Sequence, residues 1–116
     1  VIIAGGEIRS ADGGITGTAV QDFLGQFRVD FGITSVKAVD SAGTLLVNDF
    51  HDAAITQVLL SNSRCTFLAA DHTKFGKGAM IKASDMGLIN VLFTDLPLTE
   101  ELEELLKLHH VECCLC

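Results

Sequence analysis

The sequence contains no tryptophan and no tyrosine in 116 residues, which removes two of the side chains that stack on nucleic-acid bases. Its seven phenylalanines fall mostly at positions that read as core. Positive charge is also scarce, with eight Lys and Arg against fifteen Asp and Glu and a formal net charge of -7. Such a surface repels phosphate backbones, so the chain alone is a poor nucleic-acid binder. No apolar run approaches the ~18 residues that span a bilayer. Nor does the sequence carry the charged, apolar and small-residue succession of a secretory signal. A cytoplasmic location is therefore expected, with Cys65, Cys113, Cys114 and Cys116 reduced. There is no initiator methionine, and Val1-Ile2-Ile3-Ala4 reads as a strand already under way, so the chain is expected to be a fragment.

Hydrophobic residues make up 48% and charged residues 20%, which suits one packed domain and excludes intrinsic disorder. Short apolar runs alternate with helical periods, the pattern of an α/β domain with a largely parallel sheet. After the opening strand, Gly5 to Gly14 is rich in turn residues. Val20, Phe23, Leu24 and Phe27 then predict a helix, with Thr18 and Gln21 as a capping box. From Val29 to Val36, Val29, Phe31 and Ile33 alternate with Asp30, Gly32 and Thr34, predicting a strand with one well-buried face. A short strand over 44–47 follows, then a helix over about 50–61 capped by Asn48 or Asp49. Cys65 to Ala70 reads as a strand covered on both faces. Further strands are expected over 79–82, 89–94 and 111–115. A final helix after Thr99 should bury Leu102, Leu105 and Leu106, with its acidic run in the first turns, where the helix dipole favours it.

In open α/β sheets ligands bind beyond the carboxyl ends of the strands. Three segments meet that condition: Gly5-Gly6, Ser35 to Gly43, and Asp71 to Gly78. The glycine pair is either a plain turn or a loop whose N–H groups face an anion. Lys74, just past the buried strand, is either a solvated loop lysine or a point charge set for a phosphate. Asp71 and His72 are candidates for acid or base work, although a capping role suits Asp71 better. Asp52 either reaches a ligand hydroxyl or answers the helix dipole, and His51 reads as part of a solvated first turn. The tail from His109 to Cys116 has irregular ligand spacing, so free cysteines are expected rather than a metal site. No cofactor is called for.

At Ala69-Ala70-Asp71-His72-Thr73-Lys74-Phe75-Gly76-Lys77 the sequence resembles the Ala-Asp-x-Ser/Thr-Lys-Phe-Gly signature of the sensor domain in DeoR-type transcriptional regulators. Gly5-Gly6 with Gly17 downstream, Phe27 to Phe31 and Ile89 to Asp95 arrive in the family's order. The stretches Ala11 to Gly14, Phe31 to Val36 and Asp71 to Lys77 are most similar to its glycerol-3-phosphate regulon branch. The resemblance implies a three-layer, open, mainly parallel α/β sheet of the ribose-5-phosphate isomerase type, lacking its N-terminal portion. It further implies an effector-sensing domain over 1–116 that recognises a phosphorylated sugar or polyol. DNA would be met only through a winged helix-turn-helix that is not in this chain, and the partners would include neither membrane nor any substrate turned over. A homo-oligomer is also implied.

Carried over by position, Lys74 corresponds to the residue at the effector's phosphate, Gly5 and Gly6 to the pocket lining, and Asp52 to a reader of hydroxyls. Ser35 and Asp71 join that set. The related isomerases carry a catalytic Asp-Gly-Ala-Asp-Glu segment where this chain reads Ser35-Val36-Lys37-Ala38-Val39-Asp40. Most of those carboxylates are missing, and Lys37 adds positive charge instead. Binding without turnover is thus expected, the alternative being a sugar-phosphate isomerase or deaminase.

Overall fold

A computed structural model describes residues 1–116. Val1–Ala4 forms no strand, and Val1, Ile2 and Ile3 are exposed, because no neighbouring strand offers this segment a hydrogen-bond ladder. The first paired elements are instead β1 (Glu7–Ile8) and β2 (Ile15–Thr16), a small antiparallel hairpin. Its loop closes through Gly13, whose φ of 74° needs a glycine. Gly6 is pressed against this hairpin: a Cβ there would stand 2.7 Å from the Val20 side chain and 2.8 Å from the Thr16 carbonyl. α1 (Thr18–Leu24) follows, but Gly17 is its N-cap and no side chain caps it. The expected Thr18–Gln21 box does not form because Thr18 already lies inside the helix.

Next come β3 (Val29–Thr34), β4 (Ala38–Val39), β5 (Thr44–Val47), α2 (Phe50–Asn62) and β6 (Ser63–Ala69). Asp49 caps α2, its carboxylate accepting the His51 N–H at 2.6 Å. After β6 the chain makes a 3-10 turn over His72–Lys74, then β7 (Ile81–Asp85), a second such turn over Met86–Leu88, β8 (Val91–Thr94), α3 (Glu100–Leu108) and β9 (Glu112–Leu115). The strand expected over 79–82 thereby begins and ends later, and that expected over 89–94 begins two residues late. Asp85 is the reason, since it accepts the Gly87 N–H at 2.8 Å and turns the chain tightly between them. Thr99 caps α3 by accepting the Leu102 N–H at 3.3 Å.

Two larger sheets result. β3, β6, β8 and β9 lie side by side in that order, all parallel, while β4, β5 and β7 form an antiparallel sheet. One core cluster joins Val36, Val39, Leu45, Leu68, Met86, Ile89, Leu92 and Leu106, so it draws on both sheets and α3. Each such large side chain contributes roughly 1.5–3 kcal/mol on burial. Thr66, buried in the same layer, is satisfied by donating to the Leu88 carbonyl at 2.5 Å and accepting from the Asn90 N–H at 3.2 Å.

The parallel sheet is covered on one face only, which corrects three expectations. On β3 the buried residue is Gly32, pressed against Leu59 and Ser63, whereas Phe31 and Ile33 are 63% and 68% exposed. On β6, Thr66 and Leu68 are buried, while Phe67 is half-buried and Ala69 exposed. None of the seven phenylalanines is buried. Alternation assigned the right residues to each face, but the layer is supplied on the glycine side, where α2 comes close. The result is α/β and its larger sheet is parallel, but the third layer expected over that sheet is not supplied by this chain.

Candidate functional site

The C-terminal ends of β3 and β6 converge with the hairpin loop and the start of α2 around a cavity of about 500 Å³. This falls within the ~300–1,000 Å³ of small-molecule pockets. Each wall has a local cause. β3 ends at Thr34, and the chain leaves through Ser35, Val36 and Lys37, with Val36 anchored in the core and Lys37 exposed beside it. The adjacent β6 ends at Ala69, and Asp71 then caps the 3-10 turn that carries Lys74. Asp52 comes from the first turn of α2. Arg9 and Asp12 come from the hairpin loop.

Five of the seven residues picked out from the sequence line this one cavity: Ser35, Lys37, Asp52, Asp71 and Lys74. Gly5 and Gly6 do not. Gly5 has no heavy atom near an added Cβ, and Gly6 is spent on packing against β2 and α1. A turn-rich start reads the same whether the turn faces a ligand or a neighbouring helix, which is why the sequence did not separate the two.

The charges lining the cavity are Arg9, Lys37 and Lys74 against Asp12, Asp52 and Asp71. They are not paired evenly. Arg9 Nε and Nη2 donate to the two oxygens of Asp12 at 2.9 and 2.8 Å, a bidentate fork. Nη1 donates to both Asp52 oxygens at 3.2 Å and stands 3.7 Å from Asp49. Asp12 also accepts the Gly14 N–H at 3.0 Å. With Arg9 as the main cause and Gly14 as the second, the Asp12 carboxyl is held down at about 2, and the Arg9 guanidinium is pushed above its ordinary value by Asp12 and then Asp52. Asp71 is occupied by its turn: it accepts the Thr73 hydroxyl and the Thr73 N–H, and both hold its carboxyl below the usual range. Lys37 and Lys74 take part in no ion pair. Lys74 is half-buried, less wet than an ordinary surface lysine.

The arrangement combines two unpaired ammonium groups from neighbouring strand ends with a carboxylate pair locked by a guanidinium. It can hold an anion that also carries hydroxyl groups. It is poorly equipped for proton abstraction, because Asp12 and Asp71 are already engaged as acceptors and no histidine lines the cavity. His72 faces elsewhere, its Nδ1 2.7 Å from Asp95 Oδ2 and its N–H donated to Asp95 Oδ1 at 2.7 Å, and both contacts hold the Asp95 carboxyl down. His51 is exposed, as a solvated first turn requires. Cys113 and Cys114 on β9 and Cys116 just beyond it are exposed, and no group of three metal-ligating side chains is assembled anywhere in the chain. No helix is long and apolar enough to cross a membrane.

Sequence reasoning missed Arg9 and Asp12. Their spacing of three within a Gly-rich loop marks an ordinary turn, and nothing local announces that the guanidinium reaches Asp52, 43 residues on.

Comparison with known proteins bears on the same region. Residues 1–96 match the family model described as the DeoR C terminal sensor domain. The chain is 41% identical over 116 residues to the glycerol-3-phosphate regulon repressor of Escherichia coli (strain K12), covering 100% of this chain and 46% of that protein. The protein of the same name in Haemophilus influenzae (strain ATCC 51907 / DSM 11121 / KW20 / Rd) is 38% identical over 117 residues, 100% of this chain and 45% of its own length. The HTH-type transcriptional repressor CsqR of Escherichia coli (strain K12) is 35% identical over 95 residues, 82% of this chain and 36% of that protein. The chain thus spans about half the length of the curated relatives that it matches along its whole extent.

Proposed function

The chain belongs to the DeoR family through its C-terminal sensor domain, and from that membership we propose that it is the effector-binding part of a transcriptional repressor. The ligand is a small phosphorylated polyol or sugar, glycerol 3-phosphate being the first to try, given the regulon named in two of its relatives. One observation carries the reading: Lys37 and Lys74, from adjacent parallel strand ends, line one cavity and pair with no carboxylate. In a chain with only eight basic residues, two unpaired cations at one strand-end crevice suit a phosphate monoester. Ser35 supplies a further polar contact from the lining, and Asp52 accepts from hydroxyls.

The ligand acts by linkage. It binds one arrangement of the whole repressor better than the other, and DNA contact lies in a domain outside this chain, within a cytoplasmic homo-oligomer. The engagement of Asp12 and Asp71, with no histidine in the lining, favours recognition over turnover, against an isomerase or deaminase of related architecture. A ribose-5-phosphate isomerase-like sheet is the parent fold that this reading adopts.

Calorimetric titration of the chain with glycerol 3-phosphate tests the proposal. Lys74→Ala should weaken binding by about 1.5–3 kcal/mol, the value of a charge-assisted contact. Unchanged affinity in that variant removes Lys74 from the site, and product formation at enzymatic rates rejects the sensor reading.

A further inference from the structure

Resting on the phosphate-ester reading above, we infer that Arg9 is a positioning residue that gives the site its preference for a hydroxyl-bearing ligand, by fixing Asp52 as the hydroxyl acceptor. The argument begins with acceptor capacity. A carboxylate offers about four lone-pair positions. On Asp12, both oxygens take short Arg9 bonds and one also takes the Gly14 N–H, so most of its capacity is used. On Asp52, each oxygen receives only the Nη1 donor, at 3.2 Å. The remaining positions of Asp52 are free, its side chain is 27% exposed, and it lines the cavity.

Charge gives the second step. Asp12 and Asp52, which line the cavity, both pair with the single cation Arg9, so this wall of the cavity carries more negative than positive charge. A phosphate dianion avoids it and turns to Lys37 and Lys74, which leaves the uncharged end of the ligand against Asp52. Arg9 holds that polarity in place, since its planar fork ties the hairpin loop to the first turn of α2, two segments with no other ion pair between them. The ligand class that fits is a phosphate monoester with hydroxyls on the carbons away from the phosphate. The same ester without hydroxyls leaves Asp52 unanswered.

The test compares glycerol 3-phosphate with n-propyl phosphate, its counterpart lacking both hydroxyls, by calorimetry on the whole chain. The unsubstituted chain should prefer glycerol 3-phosphate by about tenfold or more, because a site built for a hydroxyl loses a bond when none arrives. In Arg9→Lys the charge is kept and the fork is lost. The preference should fall below about threefold there, with propyl phosphate affinity changed by less than about threefold. Asp52→Asn, close in shape and leaving Arg9 in place but with reduced acceptor capacity, should show the same fall. A preference retained in both variants overturns the inference. So does a parallel loss of both ligands in Arg9→Lys, which would place the guanidinium on the phosphate itself. Equal binding of the two esters by the unsubstituted chain overturns this inference alone, whereas binding of neither overturns the phosphate reading beneath it.

Discussion

The two faces of the parallel sheet present opposite chemistry to opposite surroundings. The covered face, with Gly32, Thr66, Leu68, Leu92 and Thr94, holds a glycine and two threonines yet is buried throughout. On the other face Phe31 stacks on Phe67 and Phe67 meets Phe93 edge to face, with ring centroids 5.5 and 5.3 Å apart across three strands, and none of them is buried. The larger apolar side chains are thus on the wetter side. Side-chain size does not decide what is covered; the route of the connecting helix does. All-parallel sheets are ordinarily covered on both faces, so the residues of the open face are those of a buried strand without the layer that would bury them. The cavity and its charges gather at the strand ends, where Ile33 and Ala69 of the open face also reach its lining.

Substitutions on the two faces should therefore differ in cost by severalfold. Leu68, fully buried in the main cluster, should lose about 2–5 kcal/mol on Leu68→Ala through lost transfer energy and the cavity left behind. Urea unfolding measures this directly. Phe31→Ser, a larger truncation on the open face, should cost less than about 1 kcal/mol, since the ring is 63% exposed. Equal losses from the two variants would mean that the open face is covered in solution.

The smallest expected effect is acid sensitivity at the polar margin. The Asp12 carboxyl is held at about 2 in the folded chain against an ordinary 3.8, and those of Asp71 and Asp95 are also lowered. A lowered folded value means that the stabilisation is present above the ordinary value and disappears as pH falls through the folded one. The stability gap between the unsubstituted chain and Asp12→Asn should then close as pH drops from about 4 to about 2. A gap independent of pH would show that the charge on Asp12 contributes nothing to folding.

How far the molecule was legible follows the same division. Local signals were readable. The cap of α2, read as Asn48 or Asp49 and supplied by Asp49, the helix after Thr99, in which Leu106 is buried and Leu102 and Leu105 only half-buried, and the abrupt end of an apolar run at Asp71 all depend on residues within a few positions of one another. The Lys74 turn and Asp52 were found in this way, and both line the cavity. What escaped depends on distant segments meeting. Arg9 matters through Asp52 and Asp49, on an element it meets only after the chain has folded. Gly5-Gly6 suits a plain turn as well as an anion-facing loop, and only the fold shows Gly6 packed against Val20 and Thr16. The Val29–Phe31–Ile33 stripe was a true strand pattern whose burial depended on a layer that alternation cannot see.

The most direct measurement of the central claim is a chemical-shift titration of the labelled chain with glycerol 3-phosphate. The amides of Ser35, Lys37, Asp52 and Lys74 should move together on one saturating curve, while those of Phe67 and Phe93 stay in place. Shifts that leave Lys37 and Lys74 unmoved, or that concentrate on the stacked phenylalanines, would contradict a phosphate site at the strand ends.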